Sequence, residues 1–382
     1  MASKLIDICG YAKGKIAVAG LTDQTYISTE NMLPNKGGIT KATSLPSAES
    51  TQAYKKNDVL VSNIRPYFKK IWHAECDGGC SNDVLVFRAA EGVDPTYLYY
   101  VLADDNFFNY ATATSKGTKM PRGDKSAIME YCVPDFGIGV QRKIGSLLRS
   151  IDQRIVVNSK INDNLQQQAQ SYFQELFVVN ADPKWTTGTI SDLGDVVGGS
   201  TPSKAKPEYY TESGIAWITP KDLSINKSKF ISHGENDITE LGLRDSSATI
   251  MPEGTVLFSS RAPIGYIAIA AGEVTTNQGF KSVFPKPEIG TAFVYFFLRH
   301  NLPVIEGMAS GSTFKEVSGN TMKNIPAFIP DAETLARFND LCTPIFAQQR
   351  ILEEQSQSLA ALRDSLLPKL MSGEIDVSDI QL

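Results

Sequence analysis

From Gln141 to Phe177 the chain reads QRKIGSLLRSIDQRIVVNSKINDNLQQQAQSYFQELF. Taking every third and fourth residue of this stretch gives a seam: Ile144, Leu148, Ile151, Ile155, Asn158, Asn162, Leu165, Ala169, Tyr172 and Leu176. Steps of four and three alternate throughout, the spacing with which one helix packs along another in a coiled coil. Neither proline nor glycine interrupts the seam after Gly145, so it predicts one unbroken helix. At ~1.5 Å rise per residue such a helix spans ~55 Å. An ordinary long helix packed on its own domain would show the same seam. What sets this one apart is a second seam near the C-terminus: Leu341, Ile345, Gln348, Leu352, Gln355, Leu359, Leu362 and Leu366. Asp331, following Pro330, stands as its N-cap, and Thr343-Pro344 predicts a kink or restart inside it. Asn158 and Asn162 in the first seam, and Gln348 and Gln355 in the second, are amides that cost stability but fix register. They are expected to select an antiparallel pairing of the two helices; at the edge of the seam they would simply be solvated.

The recurrence extends beyond the helices. Sliding the sequence on itself by 196 residues sets Gln153-Arg154-Ile155 on Gln349-Arg350-Ile351 and Pro134 on Pro330. It also sets Lys119 on Lys315, Gly123 on Gly319, and Tyr97–Leu102 on Phe293–Leu298. With small changes in loop length, Val59-Leu60-Val61-Ser62 falls on Val256-Leu257-Phe258-Ser259, and Tyr26-Ile27-Ser28 on Trp217-Ile218-Thr219. The order of matches is kept from end to end, the mark of a duplication.

Within each half the runs Asp58–Ser62, Asp83–Phe87, Thr255–Ser259 and Tyr266–Ala270 are β-branched or aromatic and punctuated by Gly, Pro and Asn, as strands are. Pro95–Leu102 and Thr291–His300 cluster Tyr and Phe without alternation and predict short buried helices. The expected fold is α+β: two similar α/β domains separated by two long antiparallel coiled-coil helices, with a pseudo-twofold internal repeat. The predicted boundaries are a first domain over 1–138, a long helix over 139–178, a second domain over 179–331, a second long helix over 332–372, and a tail over 373–382. Asn180-Ala181-Asp182-Pro183 stops the first helix.

Composition bounds the possibilities. The apolar fraction of 42% and charged fraction of 21% are those of a globular protein, and no apolar run reaches the ~18 residues of a membrane span. The N-terminus lacks the apolar core of a signal peptide, and five cysteines, an odd number, predict a reducing cytoplasm rather than a disulfide framework. The net charge of −5 resides in the stretch from Asp331 onward; the rest of the chain is neutral, so overall acidity neither supports nor excludes a nucleic-acid partner.

Catalytic constellations are poorly represented. Asn63-Ile64-Arg65-Pro66-Tyr67 resembles the Asn-Pro-Pro-Tyr element with which amino-methyltransferases hold a flipped base, but it lacks the Pro-Pro pair and no Gly-rich cofactor loop precedes it. Gly198-Gly199-Ser200-Thr201-Pro202-Ser203-Lys204 has the composition of a phosphate loop without its spacing. His73, Cys76 and Cys80 are spaced as the start of a zinc site that Cys132 or Cys9 would complete. Asp77-Gly78-Gly79 between them reads more simply as a hairpin turn, and His233 and His300 have no evident partners. What remains are basic clusters in matching places. Arg65, Lys69, Lys70, Lys116, Lys119 and Arg122 stand in the first half; Lys204, Lys221, Arg261, Lys281 and Lys315 stand in the second. Any one of these alone would be an ordinary solvated charge; together they would position phosphates, with Arg65, Arg261, Asn277 and Gln278 suited to base edges.

Read together, these features give the chain a resemblance to the specificity (S) subunit of type I restriction–modification systems, over essentially its whole length. The residues that carry it are Trp185, Gly198–Lys204, Gly214-Ile215-Ala216-Trp217-Ile218, Pro252–Leu257, Thr276-Asn277-Gln278-Gly279 and Gly311-Ser312-Thr313-Phe314-Lys315. Ile325-Pro326, Gln348–Ile351 and Leu366–Ile375 complete it. The first half departs from the pattern at Gly10-Tyr11-Ala12-Lys13-Gly14, where Gly-Ser-Thr-Pro is usual. The resemblance implies two target-recognition domains, each reading one part of a split site in double-stranded DNA. It also implies spacer helices that dock two modification (methyltransferase) subunits, and restriction subunits (motor and nuclease) joining that assembly. It implies no catalysis and no cofactor in this chain; S-adenosylmethionine, ATP and Mg²⁺ would belong to the partners. The rival readings are a stand-alone DNA methyltransferase or nuclease, and a duplicated coiled-coil scaffold that binds no DNA.

Overall fold

Val59-Leu60-Val61 and Val256-Leu257-Phe258, the centres of the strand runs in the two halves, are apolar at every position because both of their faces are buried. In a computed structural model, which describes residues 2–261, 263–311 and 315–378, the chain divides into two units. One comprises Met1–Val156 with Gln357–Leu382, the other Val157–Ser356.

In the first unit Val59–Ser62 lies between Val84–Ala89 and Ile71–His73 in a four-stranded antiparallel sheet that Cys9–Tyr11 completes. Val59 and Val61 pack with Tyr97, Leu98 and Val101 of the helix Pro95–Ala103, whereas Leu60 joins Ile27, Met32 and Tyr54 on the opposite face. Alternate residues of a strand point to opposite faces, so the alternation is one of partners rather than of polarity. Lys15–Ala17, Ser50–Tyr54, Gly78–Cys80 and Tyr26–Ile27 form a second sheet whose last pair is parallel.

The second unit repeats this plan. Val256–Phe258 sits between Lys281–Pro285 and Ile267–Ala270, with Gly194–Gly198 and Phe230–Ile231 at the edges. Val256 and Phe258 face the helix Thr291–His300, and Leu257 faces Ile218 and Phe280. Its other sheet again ends on a parallel pair, Trp217↔Thr275 and Ile218↔Thr276, as Tyr26↔Gly79 and Ile27↔Cys80 do in the first unit. The duplication inferred from sequence therefore holds at the level of strand pairing.

The first long helix is Ile138–Gln174, prolonged by a wider turn over Glu175–Val179. The second is Ala332–Ser372, capped by Asp331, whose carboxylate accepts from Thr334 N at 2.8 Å, and closed by Gly373 at φ 75°. The two run antiparallel within each unit. In the second unit Asn158 Nδ2 donates to Ser356 Oγ at 3.3 Å and Gln349 Nε2 to the Asn162 carbonyl at 3.1 Å. In the first, Arg363 pairs with Asp152 at 2.7 Å. Ile144, Leu148 and Ile151 are buried, Ile155, Asn162, Leu165 and Tyr172 half-buried, and Asn158 is 1% exposed.

Three expectations need correction, and one sequence match proves not to be a match of position. The helix passes Pro344 without a restart: the Thr343 hydroxyl donates to the Asn339 carbonyl at 2.7 Å, and the ring removes only one main-chain bond. The second seam keeps Ile345, Leu352, Leu359 and Leu366 but takes the other alternation between them. Gln349, Ser356 and Arg363 turn inward, while Gln348, Gln355 and Leu362 are exposed, Leu362 by 46%. The matching tripeptides do not share a face, since Gln153 is exposed and Gln349 is 2% exposed. Finally, Asp77-Gly78-Gly79 is not a hairpin turn, because Ile71–His73 and Gly78–Cys80 belong to different sheets. The glycines there serve close packing: a Cβ on Gly78 would lie 2.3 Å from the Thr25 carbonyl oxygen and 2.4 Å from Tyr54 Oη.

Candidate nucleic-acid interface

In the first unit three loops distant in sequence meet at the end of the strand Val59–Ser62. Asn35, Lys36, Arg65 and Lys69 all hold left-handed backbone, with φ between 51° and 61°. Non-glycine residues rarely adopt it, at ~1–3 kcal/mol each. Main-chain bonds lock them: Asn35 N donates to the Phe68 carbonyl, Lys36 N to that of Lys69 and Arg65 N to that of Pro121, each at 2.8 Å. Isolated bridges tie Ile64 to Arg122 and Arg122 to Lys116. The product is a rigid platform carrying Arg65, Lys69, Lys70, Lys116, Lys119 and Arg122. Tyr67 and Phe68 stand exposed on it with ring centroids 4.8 Å apart.

Most of these cations are held in place by neighbours. Lys69 and Lys36 share Asp105, each at 2.9 Å. Burial works against the Asp105 charge, but the two ammonium groups hold its carboxyl below the usual range. Arg122 pairs with Asp83 at 2.9 Å and Lys116 with Asp124. Lys70 donates to the Thr29 carbonyl at 2.6 Å, and burial pushes its ammonium down. Lys119 is exposed. Asn63 Oδ1 and Arg65 Nε are buried with no hydrogen-bond partner among the described residues.

The second unit builds the same junction. Bridges tie Arg261 to Glu316 and Glu316 to Ser310, in the pattern of Ile64, Arg122 and Lys116. The charges are exchanged: Arg261 Nε lies 3.0 Å from Glu316, which also faces Lys281 at 3.8 Å. Lys281 is half-buried, which lowers its pKa. Asn277 is fixed by Gly279 N, which donates to its Oδ1 at 2.9 Å, and the Thr201 hydroxyl donates to Gln278 Oε1. The Gly198–Lys204 loop is not a phosphate cradle. Ser200 N is spent on the Thr276 carbonyl at 2.8 Å, and a Cβ on Gly199 would lie 2.0 Å from the Asn277 carbonyl oxygen. Its glycines let two backbones touch, which seats Thr201 beside Gln278. Lys221 pairs with Glu235 at 2.5 Å near Pro220, which abuts Gly279. Lys204 and Lys315 are exposed; Ser312, Thr313 and Phe314 lie outside the described residues.

Sequence reasoning missed Lys36, Asp105, Phe68 and Thr201. The first two lie in stretches without a motif, and left-handed backbone at Lys36 leaves no composition signal. His73 stacks on Tyr99 at 5.5 Å, and no group of three His, Cys, Asp or Glu among the described residues is placed to hold a metal. His233 does have a partner, Asp237 at 3.2 Å. No helix among the described residues is long and apolar enough to cross a membrane.

Residues 183–365 match the family model described as the type I restriction modification DNA specificity domain. The type I restriction enzyme MjaIX specificity subunit of Methanocaldococcus jannaschii is 38% identical over 194 residues, covering 48% of this chain and 45% of that protein. The chain thus spans less than half the length of that relative. The HindI specificity subunit of Haemophilus influenzae is 23% identical over 436 residues, covering 92% and 94% of the two. Among solved structures, the S subunit of the type I restriction–modification system from M. genitalium aligns with a TM-score of 0.63 at 16% identity, over 99% of this chain and 96% of that one, a likeness of fold.

Proposed function

We propose that the chain, whose residues 183–365 match the type I restriction modification DNA specificity domain, is a sequence-specific DNA-reading subunit without catalysis of its own. The observation that carries this reading is the repeated junction. At the end of the same strand in both units, loops gather a salt-bridged cation and a set of side chains with hydrogen-bonding heads. Salt bridges to Asp83, Asp105 and Glu316 orient the cations without consuming their exposed faces. Such groups position phosphates, while Gln278, Asn277 and the arginines carry the donor and acceptor geometry that distinguishes base edges in the major groove.

On this reading 1–138 and 179–331 are target-recognition domains, each taking one half of a split site in double-stranded DNA, and the long helices set the gap between halves. The same helices would dock two modification subunits, which restriction subunits join. S-adenosylmethionine, ATP and Mg²⁺ belong to those partners, and the complex works in the cytoplasm. The test is duplex binding by the full chain across a salt series. Log K should fall with log salt at a slope of about −0.9 for each phosphate contacted. A flat response would remove DNA from the account.

A further inference from the structure

A cleft of about 310 Å³ lies in the second unit, beside the loop that carries Arg261. Among the described residues its walls hold two cations, Lys227 and Arg299, the neutral polar groups of Asn226 and Ser228, and no carboxylate. Lys227 Nζ donates to the Leu223 carbonyl at 3.2 Å and stands 4.7 Å above the Tyr266 ring. Arg299 donates to Tyr295 Oη at 2.8 Å. These partners orient both charges and neutralise neither. Both side chains are exposed.

The first unit shows what this corner is in its closed form. The alignment that sets Tyr26-Ile27 on Trp217-Ile218 also sets Lys36 on Lys227. The one that sets Val59 on Val256 sets Lys69 on Tyr266 and Asp105 on Leu302. The strand matches are structural, since Val59 pairs with Phe87 as Val256 pairs with Val283, and both Tyr26-Ile27 and Trp217-Ile218 lie in the parallel pair. Asp105 and Leu302 each open the helix that follows the Tyr- and Phe-rich one, Asp105–Ala113 and Leu302–Gly307. In the first unit Asp105 fills the corner and takes both lysines at 2.9 Å. In the second, Leu302 replaces the acid, and the lysine charge faces an open cleft that an arginine has joined.

We infer that this cleft holds one phosphate of the DNA backbone, with Lys227 and Arg299 as its donors, in the place where the first unit carries its own carboxylate. The inference rests on the DNA-reading function proposed above. Continuity with the reading loops favours DNA as the source of the anion. Gly265, in the cleft wall, donates its N–H to the Ser259 carbonyl at 3.0 Å, and Ser260 N bonds the Gly279 carbonyl at 2.8 Å, so cleft and reading strip are two sides of one loop. A guanidinium beside an ammonium is a phosphate-binding combination, the one supplying a planar fork and the other a point charge.

The test uses the full chain and end-labelled duplex DNA of arbitrary sequence. The double variant Lys227→Gln/Arg299→Gln should weaken binding several-fold at low salt and reduce the salt slope by about 0.9, the loss of one phosphate contact. Leu302→Asp, which imports the acid of the first unit, should do the same, while Arg299→Lys should keep the slope. An unchanged slope in both charge-removing variants, beside a steep wild-type slope, overturns the cleft and leaves the DNA reading standing. A flat wild-type slope overturns the DNA reading first. Variants that bind DNA normally but no longer bind the modification subunit would assign the cleft to an acidic protein surface and end the proposal.

Discussion

Lys229 shows how much one buried residue can decide. It is 7% exposed, with its ammonium 4.0 Å from the Phe346 ring centre and 5.0 Å from that of Tyr295. It donates to Gln349 Oε1, and Gln349 in turn donates to the Asn162 carbonyl, so Lys229 holds the second long helix directly and is linked to the first through Gln349. Glu353 accepts from the main chain of Lys229 and Phe230 at 2.9 and 3.0 Å. Burial pushes the Lys229 pKa down to about 7. A base whose native pKa is depressed sheds its proton while the unfolded chain, at ~10.4, still holds one. Between those values the unfolded state binds more protons, so native stability rises with pH. The expected contribution is at most about 1.4 kcal/mol per pH unit. Chemical denaturation of wild type from pH 7 to pH 9 should show that rise, and Lys229→Met should remove it. A variant that keeps the same pH slope would show that the ammonium is not the titrating group.

The long helices are joined by alternating apolar and polar layers, and the polar ones are where sequence and structure part. Ile345, Leu352, Leu359 and Leu366 recur every seventh residue and hold under either alternation. Between them hydropathy favours Leu362 over Arg363, yet Arg363 turns inward because Asp152 stands opposite it. Tyr100 Oη also donates to that carboxylate at 2.6 Å. A pattern read along one helix contains no information about a charge supplied by the other, so the existence of the seam was legible and its phase was not. Breaking a fully buried pair costs ~3–5 kcal/mol; with side chains 24% and 28% exposed, Asp152→Ala should cost about 2–3 kcal/mol. Adding Arg363→Met to that variant should restore part of the loss, since an apolar layer of similar volume replaces a half-buried guanidinium left with the exposed Asp364 as its partner at 2.9 Å. Denaturant midpoints of the two variants decide it: a double variant weaker than the single would mean the arginine stabilises through contacts other than the ion pair.

At the scale of the whole molecule, duplication made the fold readable and the interface only partly so. Strand runs, short helices and long helices each announce themselves locally, and their repetition in order identifies two equivalent units. The proposed reading surface is assembled instead from loops far apart in the chain: around Lys36, Arg65 and Lys119 in one unit, and around Thr201, Arg261, Gln278 and Glu316 in the other. The basic members were visible as clusters; Thr201, Lys36 and Asp105 became visible only when pairing brought their loops together. If each unit reads its own half of a split site, a change in one unit should alter one half alone. Gln278→Ala removes an amide held by Thr201 without touching the cations, and the loss of a good base contact is worth ~1–3 kcal/mol of discrimination. Selection of bound sequences from a randomised duplex pool should then show relaxed preference within one half-site, an unchanged second half, and an unchanged salt slope. Relaxation in both halves, or in neither with the slope reduced, would make Gln278 a phosphate or structural residue and return base reading to Asn277 and Arg261.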